Sequence, residues 1–244
     1  MVEAFIIAWN EIETIHLTIE HYQRFCDKVT ILDNYSNDGT YEKAEQMCNV
    51  QHFGIKNQLD DGEYLKIKNS CYLGSKEKYV IVCDSDEILW HPNLREVLEQ
   101  SDATIFNIIG WDIFSNEMPK KNYLEIQRGQ FTPNYCKKVI FKPRIKINYQ
   151  YGCHVCKPQG LLRAHSEPLT LFHYRNIGGY KRLSDRHKIY RDRLSQNNKI
   201  FGLGCHYSFP EQQRKHEYKA KFDASIEYGE FNPAGMDILP IRSR

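Results

Sequence analysis

The sequence lacks a long hydrophobic run and has almost no net charge. No stretch approaches the ~20 consecutive apolar residues of a membrane-spanning helix, and residues 1–9 form an apolar run that is too short, and lacks the basic leader, for a secretory signal. The 33 Lys and Arg nearly balance the 31 Asp and Glu, whereas nucleic-acid binders derive affinity from neutralising phosphates. We therefore expect a cytoplasmic protein with no nucleic-acid partner.

A glycine-rich phosphate loop is also missing, as is a second Cys-x-x-Cys pair. The segment AFIIAWNEIE (4–13) contains no glycine, which disfavours a nucleotidyltransferase that cradles phosphates in such a loop. The eight cysteines lie mostly in apolar runs, where buried thiols of a reducing compartment are found. Cys153, His154 and Cys156 supply only part of a four-ligand zinc site, so structural zinc is the less favoured alternative there.

The first half of the chain alternates apolar runs with helical periodicity. Runs at 4–9, 29–32 and 79–83 predict strands, and the spacing of apolar residues at 12–22 and 60–73 predicts helices between them. Repeated β–α alternation indicates a parallel, doubly wound sheet. We expect an α/β fold, and a chain of this length commonly stays one domain in that class.

The second half has a different composition. Residues 114–159 are rich in Asn, Pro, Lys and aromatic residues, which predicts antiparallel pieces and long loops of the kind that hold substrate. A helix with a basic face follows at 177–194, and its alternative partners are solvent, a pyrophosphate or an anionic membrane surface. The predicted boundaries are one domain at 1–210, with a nucleotide-binding half at 1–110 and an acceptor-side half at 111–210, then a C-terminal helix and tail at 211–244.

Acidic residues follow two of the predicted strands. Asp84, Ser85 and Asp86 come directly after the strand at 79–83, and Asp33 closes an earlier one. Because the carboxyl ends of parallel strands meet at one sheet edge, we expect these side chains to lie together. Mn²⁺ and Mg²⁺ prefer oxygen ligands and complete their shells with water and substrate phosphates. The pattern predicts a metal and nucleotide site, with solvated Asx turns as the alternative.

Other polar residues flank the same edge. Asn10 and Glu11 end the first strand, where they would help to seat a nucleoside. Lys68 and Asn69 lie on the helix that precedes the acidic strand, and we expect them to reach diphosphate oxygens, although lysines on such a helix commonly face water. The sequence therefore places candidate ligands for each part of a nucleoside diphosphate near one edge.

Histidines provide further candidate metal ligands. His173 ends the apolar run LTLFH, as the aspartates end theirs, and would bring a ligand from the second half of the chain. His154 is an alternative ligand. A lone histidine is more often structural, and that interpretation stays open for both.

Taken in order, these motifs resemble the nucleotide-diphosphate-sugar glycosyltransferases of the GT-A fold, family 2-like. The resemblance extends to about residue 210, and the ordered series is more specific than its Asp-x-Asp alone. It runs through AWNE (8–11), ILDNYSNDGT (31–40), IKN (67–69), VCDSDEIL (82–89), GWDIF (110–114), GCH (152–154), LFHYR (171–175) and GCHY (204–207).

The resemblance implies a mostly parallel sheet with a smaller antiparallel acceptor-side portion and C-terminal helices. It implies a nucleoside-diphosphate sugar as donor, with a UDP-sugar favoured, and a glycan or glycolipid acceptor in surface polysaccharide synthesis. It implies Mn²⁺ or Mg²⁺ held by Asp84, Asp86 and His173. Contacts to the nucleoside are implied for Asn10, Glu11 and Asp33.

An inverting member of such a family uses a carboxylate general base to deprotonate the acceptor. Asp112 in GWDIF is the first candidate and Glu117 the second, because the Glu-Asp pair of many family 2 enzymes is missing here. A retaining enzyme would need no such base. We also expect a loop within 114–135 to close over the donor and limit its hydrolysis.

Three alternatives to sugar transfer remain at this point. A nucleotidyltransferase would use the same metal and nucleotide edge. A non-catalytic sugar-nucleotide or glycan-binding module would bind metal without a placed base, and an α/β scaffold with solvated acids would show no metal-dependent stabilisation.

Overall fold

Parallel strands form most of the first sheet in the computed structural model, which describes residues 1–227. Three of them, β1 (Val2–Ala8), β2 (Lys28–Asp33) and β4 (Tyr79–Asp84), are almost entirely buried, as parallel strands covered on both faces are. In spatial order the sheet consists of β3 (Asn49–His52), β2 (Lys28–Asp33), β1 (Val2–Ala8), β4 (Tyr79–Asp84) and the antiparallel edge strand β8 (Ile140–Phe141).

Helices connect the parallel strands. They are α1 (Ile15–Gln23), α2 (Thr40–Glu45) and α3 (Asp61–Ser70). Helix α3 begins at a capping residue, since the Asp60 carboxylate accepts a hydrogen bond from the backbone N–H of Glu63 at 3.1 Å. This βα alternation aligns the carboxyl ends of β1, β2 and β4 at one edge of the sheet.

A second five-stranded sheet follows directly from the first. It consists of β10 (Ile226–Glu227), β7 (Arg128–Phe131), β6 (Ile108–Phe114), β9 (Leu169–Asn176) and β5 (Glu87–Trp90), in that order. Strands β6 and β9 run parallel, and the other pairs are antiparallel. The chain passes from β4 into β5 through only Ser85 and Asp86, so the acidic segment lies at the junction of the two sheets.

The remaining helices cover the second sheet and the site. They are α4 (Leu94–Gln100), α5 (Gly179–Arg193), α6 (Gln196–Ile200) and α7 (Glu211–Ala224), with short 3-10 helices at Tyr123–Glu125, Pro133–Tyr135 and Cys205–Ser208. The main hydrophobic core includes Ile6, Ile81 and Phe172 and therefore joins both sheets.

The predicted α/β class with a mostly parallel sheet is confirmed, and the arrangement is consistent with the GT-A fold implied by the resemblance. All eight cysteines are free thiols. The proposed division at 110/111 falls inside β6, and the second half supplies the edge strand β8 of the first sheet. Of the C-terminal prediction, α7 lies within the structure, and residues 228–244 lie outside the described residues.

No helix within residues 1–227 is long and apolar enough to cross a membrane.

Candidate functional site

A cavity of about 300 Å³ opens at the carboxyl ends of β1 and β4. The segments after these strands contribute Trp9, Glu11 and the acidic stretch at 84–87, while the second half contributes His173 and Tyr135. The cavity lies where the strand topology brings acids of distant sequence position together. This is the edge that the sequence predicted.

Two buried lysines neutralise the first aspartate. The Lys68 ammonium lies 2.7 Å from Oδ1 and 2.8 Å from Oδ2 of Asp84, and the Lys137 ammonium lies 3.6 Å from Oδ2. Burial alone would raise the pKa of the Asp84 carboxyl, but the two ammonium groups outweigh burial and lower it. Asp84 therefore stays ionised, and both of its carboxylate oxygens already contact the Lys68 ammonium.

Lys137 also forms the most deeply buried ion pair of the site. Its ammonium lies 2.5 Å from Oε1 of Glu87, and both residues are at most 3% exposed. The other Glu87 oxygen accepts the backbone N–H of Asp84 at 3.0 Å. Sequence reasoning missed Lys137, whose only signal is a charged residue next to the apolar run at 139–141.

Asp86, His173 and Asp112 form a continuous chain of charged groups. Strand register places His173 opposite both Glu87 on β5 and Asp112 on β6. The His173 Nδ1 lies 2.7 Å from Oδ1 of Asp112, and its Nε2 lies 3.5 Å from Oδ2 of Asp86. Burial opposes protonation of the imidazole, but the carboxylates outweigh burial and raise its pKa to about 9.

The Tyr135 ring packs against one face of the His173 ring. The two rings stack with centroids 3.8 Å apart and planes inclined by 23°. The 3-10 helix that carries Tyr135 lies directly on β6, because Gly110 has no side chain: a Cβ there would lie 2.5 Å from the Tyr135 carbonyl carbon. Sequence reasoning also missed Tyr135.

Glu11 and the basic helix α5 meet across the cavity. Arg186 forms a two-pronged ion pair with the Glu11 carboxylate and also donates to the Tyr190 hydroxyl at 2.5 Å. Burial disfavours the charged guanidinium, but Glu11 outweighs burial and raises the pKa of Arg186. This part of the predicted basic helix therefore faces the site instead of solvent.

Aromatic side chains line the part of the cavity near the end of β1. The Arg193 guanidinium lies 3.4 Å from the Trp9 ring centroid, and the Tyr190 ring lies 5.6 Å from it. Tyr64 and Leu59 complete this apolar part of the lining. Flat apolar walls with polar groups beside them are suited to a nucleobase.

Asp33 is completely buried at the end of β2. Its Oδ2 accepts the backbone N–H of Ser36 at 2.9 Å and lies 3.2 Å from Nδ1 of His52. Its Oδ1 has no hydrogen-bond partner within residues 1–227. A buried acceptor of this kind is a binding candidate, although Asp33 does not line the cavity.

Three other predicted residues lie away from the cavity wall. The Asn10 side chain hydrogen-bonds Asn37, and Asn69 makes paired hydrogen bonds to the backbone of Tyr149. Glu117 is exposed, and it lines neither this cavity nor a second cavity that adjoins it at His173. Asn10 and Asn69 therefore hold neighbouring chain segments together by hydrogen bonds. Glu117 does not line the cavity that contains Asp86 and His173.

The donor set for a metal is smaller than predicted. In the part of the chain that the structure describes, no group of three or more His, Cys, Asp or Glu side chains is arranged to hold a metal ion. Asp84 is bound by the two lysines, and the ligand set Asp84, Asp86 and His173 stays a prediction. Asp86 and His173 remain as neighbouring oxygen and nitrogen donors, and Mg²⁺ or Mn²⁺ held against phosphates needs only one or two protein ligands.

No family model matches the sequence, and no curated protein matches it. Among solved structures, the chain is similar to S. aureus TarS 1-349, with a TM-score of 0.47 and 11% identity over 91% of this chain and 70% of that chain.

Two further solved structures are similar over part of the fold. Glucosyl-3-phosphoglycerate synthase from Mycobacterium tuberculosis, in complex with Mn²⁺, UDP and phosphoglyceric acid, has a TM-score of 0.34 and 18% identity over 45% of this chain and 43% of that chain. Mannosyl-3-phosphoglycerate synthase from Rubrobacter xylanophilus has a TM-score of 0.33 and 17% identity over 45% of this chain and 40% of that chain. The chain matches less than half the length of either enzyme, and these likenesses carry no conclusion about its reaction.

Proposed function

We propose that this protein is a glycosyltransferase that moves a sugar from a nucleoside-diphosphate sugar to an acceptor hydroxyl. One observation carries the proposal. A single cavity combines an aromatic lining with a strand end at which Lys68 and Lys137 pair with Asp84, next to Asp86. A nucleoside diphosphate needs an apolar seat for its base and a phosphate site whose acids are compensated, and the cavity offers both.

The base would rest against Trp9 and Tyr64, with the diphosphate directed toward the acidic segment after β4. Lys68 and Lys137 neutralise Asp84 and Glu87 there, so the strand end repels the leaving diphosphate less than its acids alone would. Burial alone would lower the pKa of Lys68, but Asp84 outweighs burial and raises it, which keeps this ammonium charged before the donor arrives.

The residues present fit a divalent cation held by Asp86 and His173. Asp112 binds Nδ1 of His173, which leaves Nε2 on the side of Asp86, and carboxylate–histidine pairs orient metal ligands in this way. Bound Mn²⁺ or Mg²⁺ would supply charge stabilisation to the leaving diphosphate. Asp112 is then a positioning residue, and its predicted role as the general base is a separate hypothesis.

Several finer features stay predictions. They are inversion at the anomeric carbon, preference for a UDP-sugar, closure of a loop within 114–135, and a destination in surface polysaccharide. Product anomer analysis by NMR tests the first of them.

Thermal unfolding with UDP, GDP, CMP and dTDP, each with and without Mn²⁺, tests the proposal. We expect one diphosphate to raise the melting temperature only when Mn²⁺ is present, because ligand binding stabilises the native state. Asp86→Ala should abolish the shift, and the exposed control Asp102→Ala should retain it. If no nucleotide raises the melting temperature, or if the rise depends on neither Mn²⁺ nor Asp86, the assignment is refuted.

Asp112→Asn separates positioning from base catalysis. If Asp112 orients His173, the variant should bind Mn²⁺ about 10–100-fold more weakly, and excess Mn²⁺ should restore most of its transfer rate. If Asp112 is the base, metal affinity stays normal and excess Mn²⁺ restores nothing.

A further inference from the structure

A second cavity, of about 340 Å³, lies on the far side of His173. It shares a wall with the first cavity, made by Tyr135, His173, Arg175 and His206. Strands β6 and β9 form its floor through Asp112, Phe114, His173, Arg175 and Asn176. A molecule bound here would therefore lie next to the donor without occupying the donor's place.

Two helices line the remaining sides, each with one regular face. Residues at spacings of three, four and seven share a helix face, and the second cavity is lined by such a set from each helix. The sets are Tyr180, Leu183, Ser184 and His187 from α5, and Arg214, Glu217, Tyr218 and Lys221 from α7.

These faces carry polar groups without partners, although buried polar groups are nearly always hydrogen-bonded. Ser184 and Tyr218 are 4% and 8% exposed, yet neither hydroxyl has a hydrogen-bond partner within residues 1–227. The same holds for Nη2 of Arg175, Nε and Nη1 of Arg214, and Nδ1 of His187.

The unpaired groups form a positively charged site. No ion pair within the described part of the chain uses the Arg175 or Arg214 guanidinium. Burial, reinforced by Arg175, lowers the pKa of His187 to about 3 and that of His206 to about 4. Of the two acids within residues 1–227 that line the cavity, Asp112 is paired with His173, and Glu217 accepts a hydrogen bond from Gln213 on its own helix. Lys221 balances the charge of Glu217, so the guanidinium groups of Arg175 and Arg214 leave the cavity with net positive charge.

We infer that the second cavity binds the sugar acceptor and that this acceptor carries a phosphate group, which Arg175 and Arg214 receive. The inference rests on the proposed transfer reaction. Arginine forks match phosphate oxygens, the hydroxyls of Ser184 and Tyr218 hydrogen-bond the same ligand, and the rings of Tyr180 and Phe209 pack against its carbon skeleton. The acceptor hydroxyl then meets the donor where the two cavities adjoin, beside His173 and Arg175, which line both.

Binding of glycerol 3-phosphate and of glucose 6-phosphate, measured by calorimetry against glycerol and glucose, tests the inference. The phosphorylated probes should bind, and Arg214→Gln should weaken them at least tenfold. Lys215→Gln removes the same charge from the exposed neighbouring position of α7 and should change nothing. Equal binding of the phosphorylated and plain probes, no binding of either, or equal loss in both variants would overturn the inference.

Conservative variants separate binding from a structural role. Tyr218→Phe and Ser184→Ala remove only an unpaired buried hydroxyl, so the melting temperature should stay or rise while affinity for the phosphorylated probe falls. A lower melting temperature with unchanged affinity would assign these hydroxyls to the fold and contradict the inference.

The source of the phosphate is tested with vesicles of phosphatidic acid and of phosphatidylcholine. Arg214-dependent sedimentation with phosphatidic acid alone indicates a lipid-linked acceptor, and binding of only the soluble probes indicates a free phosphosugar or polyol phosphate. Nucleotide stabilisation belongs to the first cavity. If no nucleotide stabilises the protein while the phosphorylated probes still bind, the proposed function is refuted. If a nucleotide stabilises it but the phosphorylated probes do not bind, only this inference is refuted.

Discussion

At the scale of single residues, charge burial dominates the site. Glu87 and Lys137 are nearly inaccessible and 2.5 Å apart, and each would be a costly isolated charge without the other. Their pairing also supports Asp84, whose backbone N–H is bound by Glu87. A mutation at either residue therefore affects both the stability and the shape of the acidic segment.

Lys137→Met should lower the free energy of unfolding by about 3–5 kcal/mol, because it leaves the Glu87 carboxylate buried and unpaired. Denaturant unfolding measures this loss. The double variant Lys137→Met with Glu87→Gln should recover part of it, and Lys146→Met, at an exposed position, should lose little. If Lys137→Met alone is as stable as the wild type, the ion pair between Lys137 and Glu87 does not contribute to stability in this way.

At the scale of elements, the site depends on how closely the 3-10 helix Pro133–Tyr135 approaches β6. Gly110 permits this approach, and the Thr132 carbonyl oxygen would lie 2.8 Å from any Cβ there. Tyr135 thereby reaches the His173 ring and separates the two cavities. The backbone packing of these two elements sets the position of a side chain in the wall of both cavities.

Gly110→Ala should push the 3-10 helix away and destabilise the protein by about 1–3 kcal/mol, as overpacking does. It should also weaken the metal-dependent stabilisation by nucleotide, since Tyr135 no longer supports His173. Thermal unfolding with and without ligand measures both effects. Ile109→Ala, at a half-exposed neighbouring position of β6, is the control that should retain nucleotide binding; equal behaviour of the two variants would argue against the mechanism.

At the scale of the whole molecule, buried histidines make stability depend on pH. His21 is a half-buried residue of α1, and its Nε2 lies 2.9 Å from the carbonyl oxygen of Leu89 on β5. Burial lowers its pKa from 6.5 to about 4. Between these values the unfolded chain binds more protons than the folded chain, so stability is fully present above pH 6.5 and falls as the pH approaches 4.

His21→Gln should make the free energy of unfolding less sensitive to acid. The difference from wild type should change by about 3 kcal/mol between pH 7.5 and pH 4, which follows from the size of the pKa shift. Denaturant unfolding across this pH range measures it. The exposed His216→Gln control should parallel the wild type, and a His21 variant with an unchanged slope would contradict a neutral, buried imidazole.

Local patterns in the sequence determined the buried parallel strands of the first sheet and where the acids fall. The apolar run at 79–83 followed by Asp84 and Asp86 predicted a strand end at a binding edge, and β4 and the first cavity lie there. Parallel β–α order was predictable for the same reason, since periodicity and turn residues act over a few positions. The pairing of Asp112 with His173 was not predictable, because it depends on the register between β6 and β9.

The tertiary structure alone decided which partners those acids have. Lys137 reaches Asp84 and Glu87, Arg186 reaches Glu11, and Tyr135 covers His173, although each lies far from its partner along the chain. The second cavity likewise exists only where α5 and α7 close over β9. Such contacts depend on helix and strand packing between distant segments, and that packing is set by buried shape and charge compensation, which leave no local repeat in the sequence.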